Sequence, residues 1–154
     1  MADPAEVVSA LRRAGLTVAT GESLTAGLVC ATLADVPGCS TVLRGGVVAY
    51  QGDVKSALLG VPAEALAEGL VSCEVAEALA RGAARVLGAD VGIGTTGAVG
   101  PDPHDGAPPG TVWIAVAVGP SCASTSLDVV GDRAAVRQAA VAACWDLVLA
   151  TVGE

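Results

Sequence analysis

Three side chains suited to proton or nucleophile chemistry occur once each in these 154 residues: Lys55, Tyr50 and His104. Every other cation is Arg, which keeps its proton, whereas Lys can give one up and act as a base. Tyr50 precedes Lys55 by five residues across a turn, Gln51-Gly52-Asp53, with Asp53 expected to cap the short helix that carries Lys55. A Lys in a first helical turn faces the positive end of the dipole, which disfavours its charge by only ~0.3–1 kcal/mol. Bringing its pKa from about 10.4 to about 7–8 takes ~4 kcal/mol, so burial or a neighbouring cation such as Arg44 has to supply the rest. The plainer alternative is a solvated Lys55 beside a Tyr50 at the boundary of core and water.

Ser23 follows a short β-type run, Leu16–Thr20, at the point where a helical pattern begins at Leu24 and continues to about Asp35. In that position its hydroxyl is exposed at the carboxyl edge of a sheet, beside helix-start amides able to stabilise an oxyanion. Serine at such a turn is also a common N-cap, and the turn by itself favours that role.

Thr95-Thr96-Gly97-Ala98-Val99-Gly100-Pro101 leaves a strand with glycines that let backbone amides approach a phosphate, or is an ordinary Gly/Pro loop. Asp102, His104 and Asp105 read as metal ligands or, with Ser23, as a Ser/His/Asp set. However, Gly21-Glu22-Ser23-Leu24-Thr25 departs from the G-x-S-x-G elbow at its last position, and a single His on a loop is weak support for either. Arg133 and Arg137 stand one turn apart at the start of the last helix, where they suit an anionic substrate group or are simply surface charge.

The elements that must position these residues follow from local signals. Asp3-Pro4-Ala5-Glu6 is a capped helix start, and Arg12-Arg13-Ala14-Gly15 its stop. Thr41–Tyr50 reads as a second strand, with close backbone approach at Gly45-Gly46. A short helix spans about Val54–Leu59, a helical turn Pro62–Glu68, and Ser72 caps a helix to about Leu87 whose inward face is Val75, Leu79, Ala83 and Val86. Asp90–Thr95 is a buried strand, and Gly97–Gly110 an exposed loop of the kind that often carries function. Thr111–Val118 and Ala123–Val130 form an antiparallel hairpin. Asp132 caps a last helix that faces inward through Val136, Ala140, Ala143, Leu147 and Ala150. This order predicts one three-layer α/β/α domain with a mixed, mainly parallel sheet of about five strands.

Composition narrows the function classes. Eight basic against 16 acidic residues give a formal charge of −8 with no basic cluster, which argues against a nucleic-acid surface. Mean hydropathy is +0.64, yet charged or turn residues interrupt the apolar runs before the ~18–20 residues of a membrane span. The acidic start, Met1-Ala2-Asp3-Pro4-Ala5-Glu6, lacks the features of an export signal, so the expected location is cytoplasmic. Five widely spaced cysteines, with no C-x-x-C pair, read as reduced small hydrophobes. An apolar, aliphatic domain is also suited to pair with a second copy through a helix or strand face.

Taken together, the segments Thr20-Gly21-Glu22-Ser23-Leu24-Thr25-Ala26-Gly27, Val36-Pro37-Gly38-Cys39-Ser40, Gly45-Gly46-Val47-Val48-Ala49-Tyr50, Lys55 and Leu58-Leu59-Gly60-Val61 have a familiar order and spacing. With Thr96-Gly97-Ala98-Val99-Gly100-Pro101, Gly110-Thr111-Val112 and Gly131-Asp132-Arg133, they make the chain resemble the CinA carboxy-terminal domain family from about Val7 to Val152. Characterised enzymes of that family are nicotinamide mononucleotide amidases. The resemblance implies hydrolysis of a pyridine-nucleotide carboxamide to the acid and ammonia, with no metal and no cofactor, through Ser23, Tyr50 and Lys55. It places Thr25, Gly46, Thr96, Gly97, Gly100 and Arg133 in the substrate-binding segments. Ala26 stands where many members have Gly, and Gln51-Gly52-Asp53 replaces a more usual Ser-Asn-Glu. Many relatives carry a further amino-terminal domain and are named for competence or DNA damage, so this chain is expected to be a stand-alone form. A different class of function, binding a nucleotide or a protein without turnover, is the alternative.

Overall fold

The computed structural model describes residues 2–153. Helix α1 (Pro4–Ala14) starts in the expected capping box: Asp3 accepts from the Glu6 amide and Glu6 accepts from the Asp3 amide. Strand β1 (Val18–Glu22) is wholly buried, and helix α2 is Leu28–Ala34. A 3-10 turn, Cys39–Thr41, takes up the start of the second predicted strand, so β2 is only Leu43–Val48. Helices α3 (Gly52–Leu59), α4 (Ala63–Ala67) and α5 (Cys73–Leu87) precede β3 (Val91–Gly97). The hairpin β4 (Thr111–Val118) and β5 (Ser121–Asp128) leads into α6 (Arg133–Val152). Ser72 and Asp132 cap α5 and α6 as expected.

The strands form one sheet in the order β2-β1-β3-β4-β5. The three strands nearest the candidate site, β2, β1 and β3, run parallel, while β4 and β5 are antiparallel to their neighbours. Helices α1, α2 and α6 pack together on one face, and α5 covers the other with α3 and α4 against it. The result is the α/β/α arrangement.

The main core is aliphatic, with Val7, Leu11, Val18, Leu33, Ile93, Ile114 and Val148 among its members. Trp145 lies in this core at 3% exposure, and Trp113 packs beside Ala76, Ala80, Ala115 and Ala117, so neither ring faces the cleft described below. On the opposite face α5 lies against bare backbone. A Cβ at Gly94 or Gly92 of β3 would collide with the carbonyls of Ala76 or Ala80, and one at Gly82 of α5 with that of Leu59. At Gly21 it would come within 2.7 Å of the Leu79 carbonyl.

Several boundaries differ from expectation. The last helix faces inward through Val136, Ala140, Val141, Cys144, Trp145 and Val148, whereas Ala150 is exposed. An alanine-rich helix has little contrast between its faces, so its phase is poorly marked in sequence. Val86 of α5 is likewise exposed, at 51%. The second hairpin strand starts at Ser121 rather than Ala123, because the turn closes over Gly119-Pro120. Helix α6, at 20 residues, is long and apolar enough to span a membrane, but here it packs on β4, β5 and α1. All five cysteines are free; burial raises the thiols of Cys30, Cys122 and Cys144, which leaves them poor nucleophiles.

Candidate active site

A cleft of about 240 Å³ opens beyond the carboxyl ends of β1 and β3, lined by Ser23, Tyr50, Gly97, Gly100, His104 and Arg133 among others. Open α/β sheets bind ligands at this edge, where chain connections leave in opposite directions. Here β1 sends its connection towards β2 on one side and pairs with β3 on the other.

Ser23 follows β1 directly and is 6% exposed, with its amide donating to the Thr95 carbonyl at 3.0 Å. It does not cap α2, contrary to the commoner reading of the turn. Residues 23–27 form an irregular turn and α2 begins only at Leu28, with Gly27 at its N-cap and no side-chain cap from that position. The Glu22 carboxylate caps instead, accepting from the amides of Val29 at 2.9 Å and Cys30 at 3.0 Å. It also accepts from the hydroxyls of Thr20 at 2.9 Å and Thr25 at 2.6 Å. Two amides and two hydroxyls thus converge on the one Glu22 carboxyl group. The Ser23 carbonyl accepts from the Ala26 amide at 3.0 Å. In the trans peptide that joins Ser23 to Leu24, the Leu24 N–H therefore points the opposite way. That amide donates to no main-chain group among the described residues, and Leu24 lines the cleft.

Lys55 is 1% exposed, the largest fully buried side chain among the described residues. Its Nζ donates to the Tyr50 carbonyl oxygen at 2.6 Å. Burial alone lowers its pKa from 10.5 to about 8, with no charged neighbour contributing. Arg44, considered above as a neighbouring cation, instead donates to the Leu87 carbonyl at the far end of β2. Asp53 does not cap α3: the N-cap is Gln51, and the Asp53 carboxylate accepts only from the next amide, that of Val54. Tyr50 is 47% exposed and its ring lines the cleft, with its hydroxyl 3.4 Å from Arg133 Nη2. Among the described residues no hydrogen bond joins the Ser23 hydroxyl to Lys55.

The other candidate positions divide into two groups. Gly97, Gly100 and Arg133 line the cleft, and Arg133 Nη1 also donates to the Gly100 carbonyl at 2.7 Å. Thr25, Gly46 and Thr96 do not line it. Thr25 is fully buried on Glu22 and lies 2.8 Å from the Thr95 hydroxyl, while Thr96 donates to the Leu70 carbonyl at 2.7 Å. Gly46 faces inward, where a Cβ would meet Thr20 and Cys30. These three shape the site from behind.

Asp102 and His104 are exposed on the cleft's outer loop, which is tied down by the bridge His104–Ala107 and by Asp105 accepting from the Leu70 amide at 2.6 Å. Among the described residues no group of three or more His, Cys, Asp or Glu side chains is placed to hold a metal ion. Two residues acquire roles that the sequence reading did not give them. Glu22 caps α2, and Arg137 donates from Nε and Nη2 to the carbonyls of Leu24 and Thr25, each at 3.0 Å. The helix-start position of Arg137 signalled a cation near an anion, but nothing local signalled two backbone carbonyls more than 110 residues away.

Comparison with known proteins gives one consistent result. A "CinA-like protein" of Frankia casuarinae is 42% identical over 143 residues, covering 92% of this chain and 33% of that protein. Another "CinA-like protein", from Geobacter sulfurreducens, is 44% identical over 133 residues, covering 85% of this chain and 32% of that one. The chain thus spans about a third of the length of these curated relatives. The solved competence-damaged protein (CinA) superfamily protein of Escherichia coli superimposes with a TM-score of 0.91 at 29% identity, covering 95% of this chain and 86% of that one. The competence or damage-inducible protein of Enterobacter asburiae gives 0.92 at 26% identity, covering 97% and 98%. The family model described as CinA C-terminal domain matches residues 2–152, and the chain belongs to that family.

Proposed function

We propose that the domain is a nicotinamide-nucleotide amidase in which Ser23 is the nucleophile and Lys55 the general base. The observation that carries this reading is Lys55: a fully buried lysine that does not itself line the cleft but donates to the carbonyl of Tyr50, which does, and whose pKa of about 8 leaves a neutral fraction near neutral pH. A base works best with a pKa near the operating pH.

Neutral Lys55 takes the Ser23 hydroxyl proton, directly or through Tyr50, as Oγ bonds to the carboxamide carbon. The Leu24 amide donates to the developing oxyanion. The C–N bond then breaks, and ammonia leaves with the proton returned from the Lys55 ammonium. Water attacks the Ser23 ester, again giving a proton to Lys55, and the acid departs as Ser23 recovers its hydrogen. The Tyr50 carbonyl orients Nζ throughout, and the Tyr50 ring forms a wall of the cleft. Arg133, with the Gly97–Gly100 backbone, is the proposed seat of the nucleotide phosphate, and the domain is proposed to need no metal or cofactor.

The test is ammonia release from nicotinamide mononucleotide by wild type, Ser23→Ala and Lys55→Met. Turnover by wild type and its loss in both variants supports the proposal; an active Ser23→Ala protein overturns it. The occupation of Lys55 Nζ by a carbonyl, with no bond to Ser23, favours a second reading: a domain that binds the nucleotide without hydrolysing it. Binding of the mononucleotide by calorimetry with no ammonia released would select that reading.

A further inference from the structure

We infer that Arg137 is the positioning residue of the Ser23 turn, and that it acts by keeping residues 23–27 out of the helix their sequence otherwise favours. The inference rests on the reading of Ser23 as nucleophile.

The apolar pattern that predicts a helix from Leu24 is real, and such a helix would pair each carbonyl with the amide four residues on. The Leu24 carbonyl would accept from Leu28, that of Thr25 from Val29 and that of Ala26 from Cys30. The structure redirects both sides of this ladder. The Val29 and Cys30 amides go to the Glu22 carboxylate, and the Leu24 and Thr25 carbonyls go to the Arg137 guanidinium. The Leu28 amide bonds three residues back, to Thr25, instead of four. Two side chains from outside the segment thus take up the donors and the acceptors of a missing first turn.

The conformation so held is a costly one. Ala26 has φ +48° and Gly27 φ +94°. For a residue with a Cβ, the left-handed region is disfavoured by contact with the following carbonyl oxygen, so the turn needs external support. Arg137 can give it because α6 is fixed in the core on either side of that side chain, through Val136, Ala140 and Val141. A guanidinium is also suited to two carbonyls at once: its donors form a rigid fork that never loses its charge.

Release of the fork frees Leu24 to Ala26 to wind into α2 and carries Ser23 Oγ and the Leu24 amide away from their places at the cleft. Misplacement by about 1 Å costs on the order of 100-fold in rate. Because its fork is engaged with backbone, Arg137 governs turnover rather than affinity.

The experiment measures steady-state ammonia release and backbone NMR on the whole protein with Arg137→Gln and Arg137→Lys, thermal melting having shown both folded. The expected result for Arg137→Gln is a kcat lower by about 100-fold with KM within threefold of wild type, and for Arg137→Lys, whose single ammonium lacks the fork, a kcat still at least about tenfold below wild type; a fully active Arg137→Lys protein overturns the inference. A raised KM with unchanged kcat would make Arg137 a substrate ligand and overturn the inference. Without substrate, the Cα shifts of Leu24, Thr25 and Ala26 are expected to move towards helical values in Arg137→Gln; unchanged shifts overturn the inference too. If wild type releases no ammonia, the amidase reading fails by itself, and the shifts alone decide whether Arg137 holds the turn.

Discussion

Lys55 and Tyr50 are joined through the backbone of one of them: the buried ammonium donates to the Tyr50 carbonyl, while the Tyr50 ring turns away to the cleft and places its hydroxyl beside Arg133. The tyrosine hydroxyl and the lysine ammonium are therefore not hydrogen-bonded to each other. The ring contributes a wall of the cleft and a contact to Arg133, and the main chain holds the Lys55 ammonium.

This separation gives a prediction for pH. With neutral Lys55 as the active form, kcat/KM for ammonia release is expected to rise about tenfold per pH unit below pH 8 and to level off above it, following the lowered pKa of about 8. A profile flat from pH 6 to 9 would remove Lys55 as the base.

Stability should report the same group. Between about 8 and 10.5 the unfolded chain holds the Lys55 proton and the folded one does not, so Lys55's contribution to stability rises with pH across that window. Below it, the buried charge is a constant penalty. Lys55→Met is expected to melt several degrees higher than wild type at pH 7, with the difference shrinking towards pH 10. Calorimetric scans at the two pH values check this.

His104 is the test of the competing Ser/His chemistry. It sits on the exposed outer loop of the cleft, and the proposed mechanism gives it no proton to move. His104→Ala is expected to stay within about fivefold of wild type in kcat, whereas a base would cost on the order of 100-fold or more.

Glu22 should matter to the fold as much as to the site. Replacing it with Ala removes the acceptor of the Thr20 hydroxyl and the Val29 amide, both buried, and of the half-buried Cys30 amide, while the Thr25 hydroxyl keeps Thr95 as a partner; each group left unpaired costs about 1–3 kcal/mol. Denaturant melts of Glu22→Ala are expected to show a loss of at least about 3 kcal/mol.

Gly94→Ala is expected to destabilise by a similar amount or to prevent folding, because its methyl would run into the Ala76 carbonyl of α5, and helix backbone yields less readily than a side chain. Soluble expression and urea midpoints measure it.

What could be read from sequence was whatever is decided locally. The caps at Asp3, Ser72 and Asp132 depend on residues within three positions, and all three are present. The crossover that places Ser23 at the sheet edge followed from strand, turn and helix signals in order. The turn at 23–27 did not, because Arg137 is more than 110 residues away and Glu22, in a strand, reads as an outward charge rather than a cap. Burial of Lys55 was equally hidden: α3 is too short to show a face, and the seat of its ammonium is a carbonyl that every residue possesses.

The helix-to-sheet contact on the α5 face has a bearing on how this domain tolerates change. α5 touches β1 at Gly21, two residues before Ser23, and touches α3 at the Leu59 carbonyl, one turn after Lys55. Main chain meets main chain at both points. The strand that leads to Ser23 and the helix that carries Lys55 are thus both gauged against α5 by peptide planes rather than by the size of side chains.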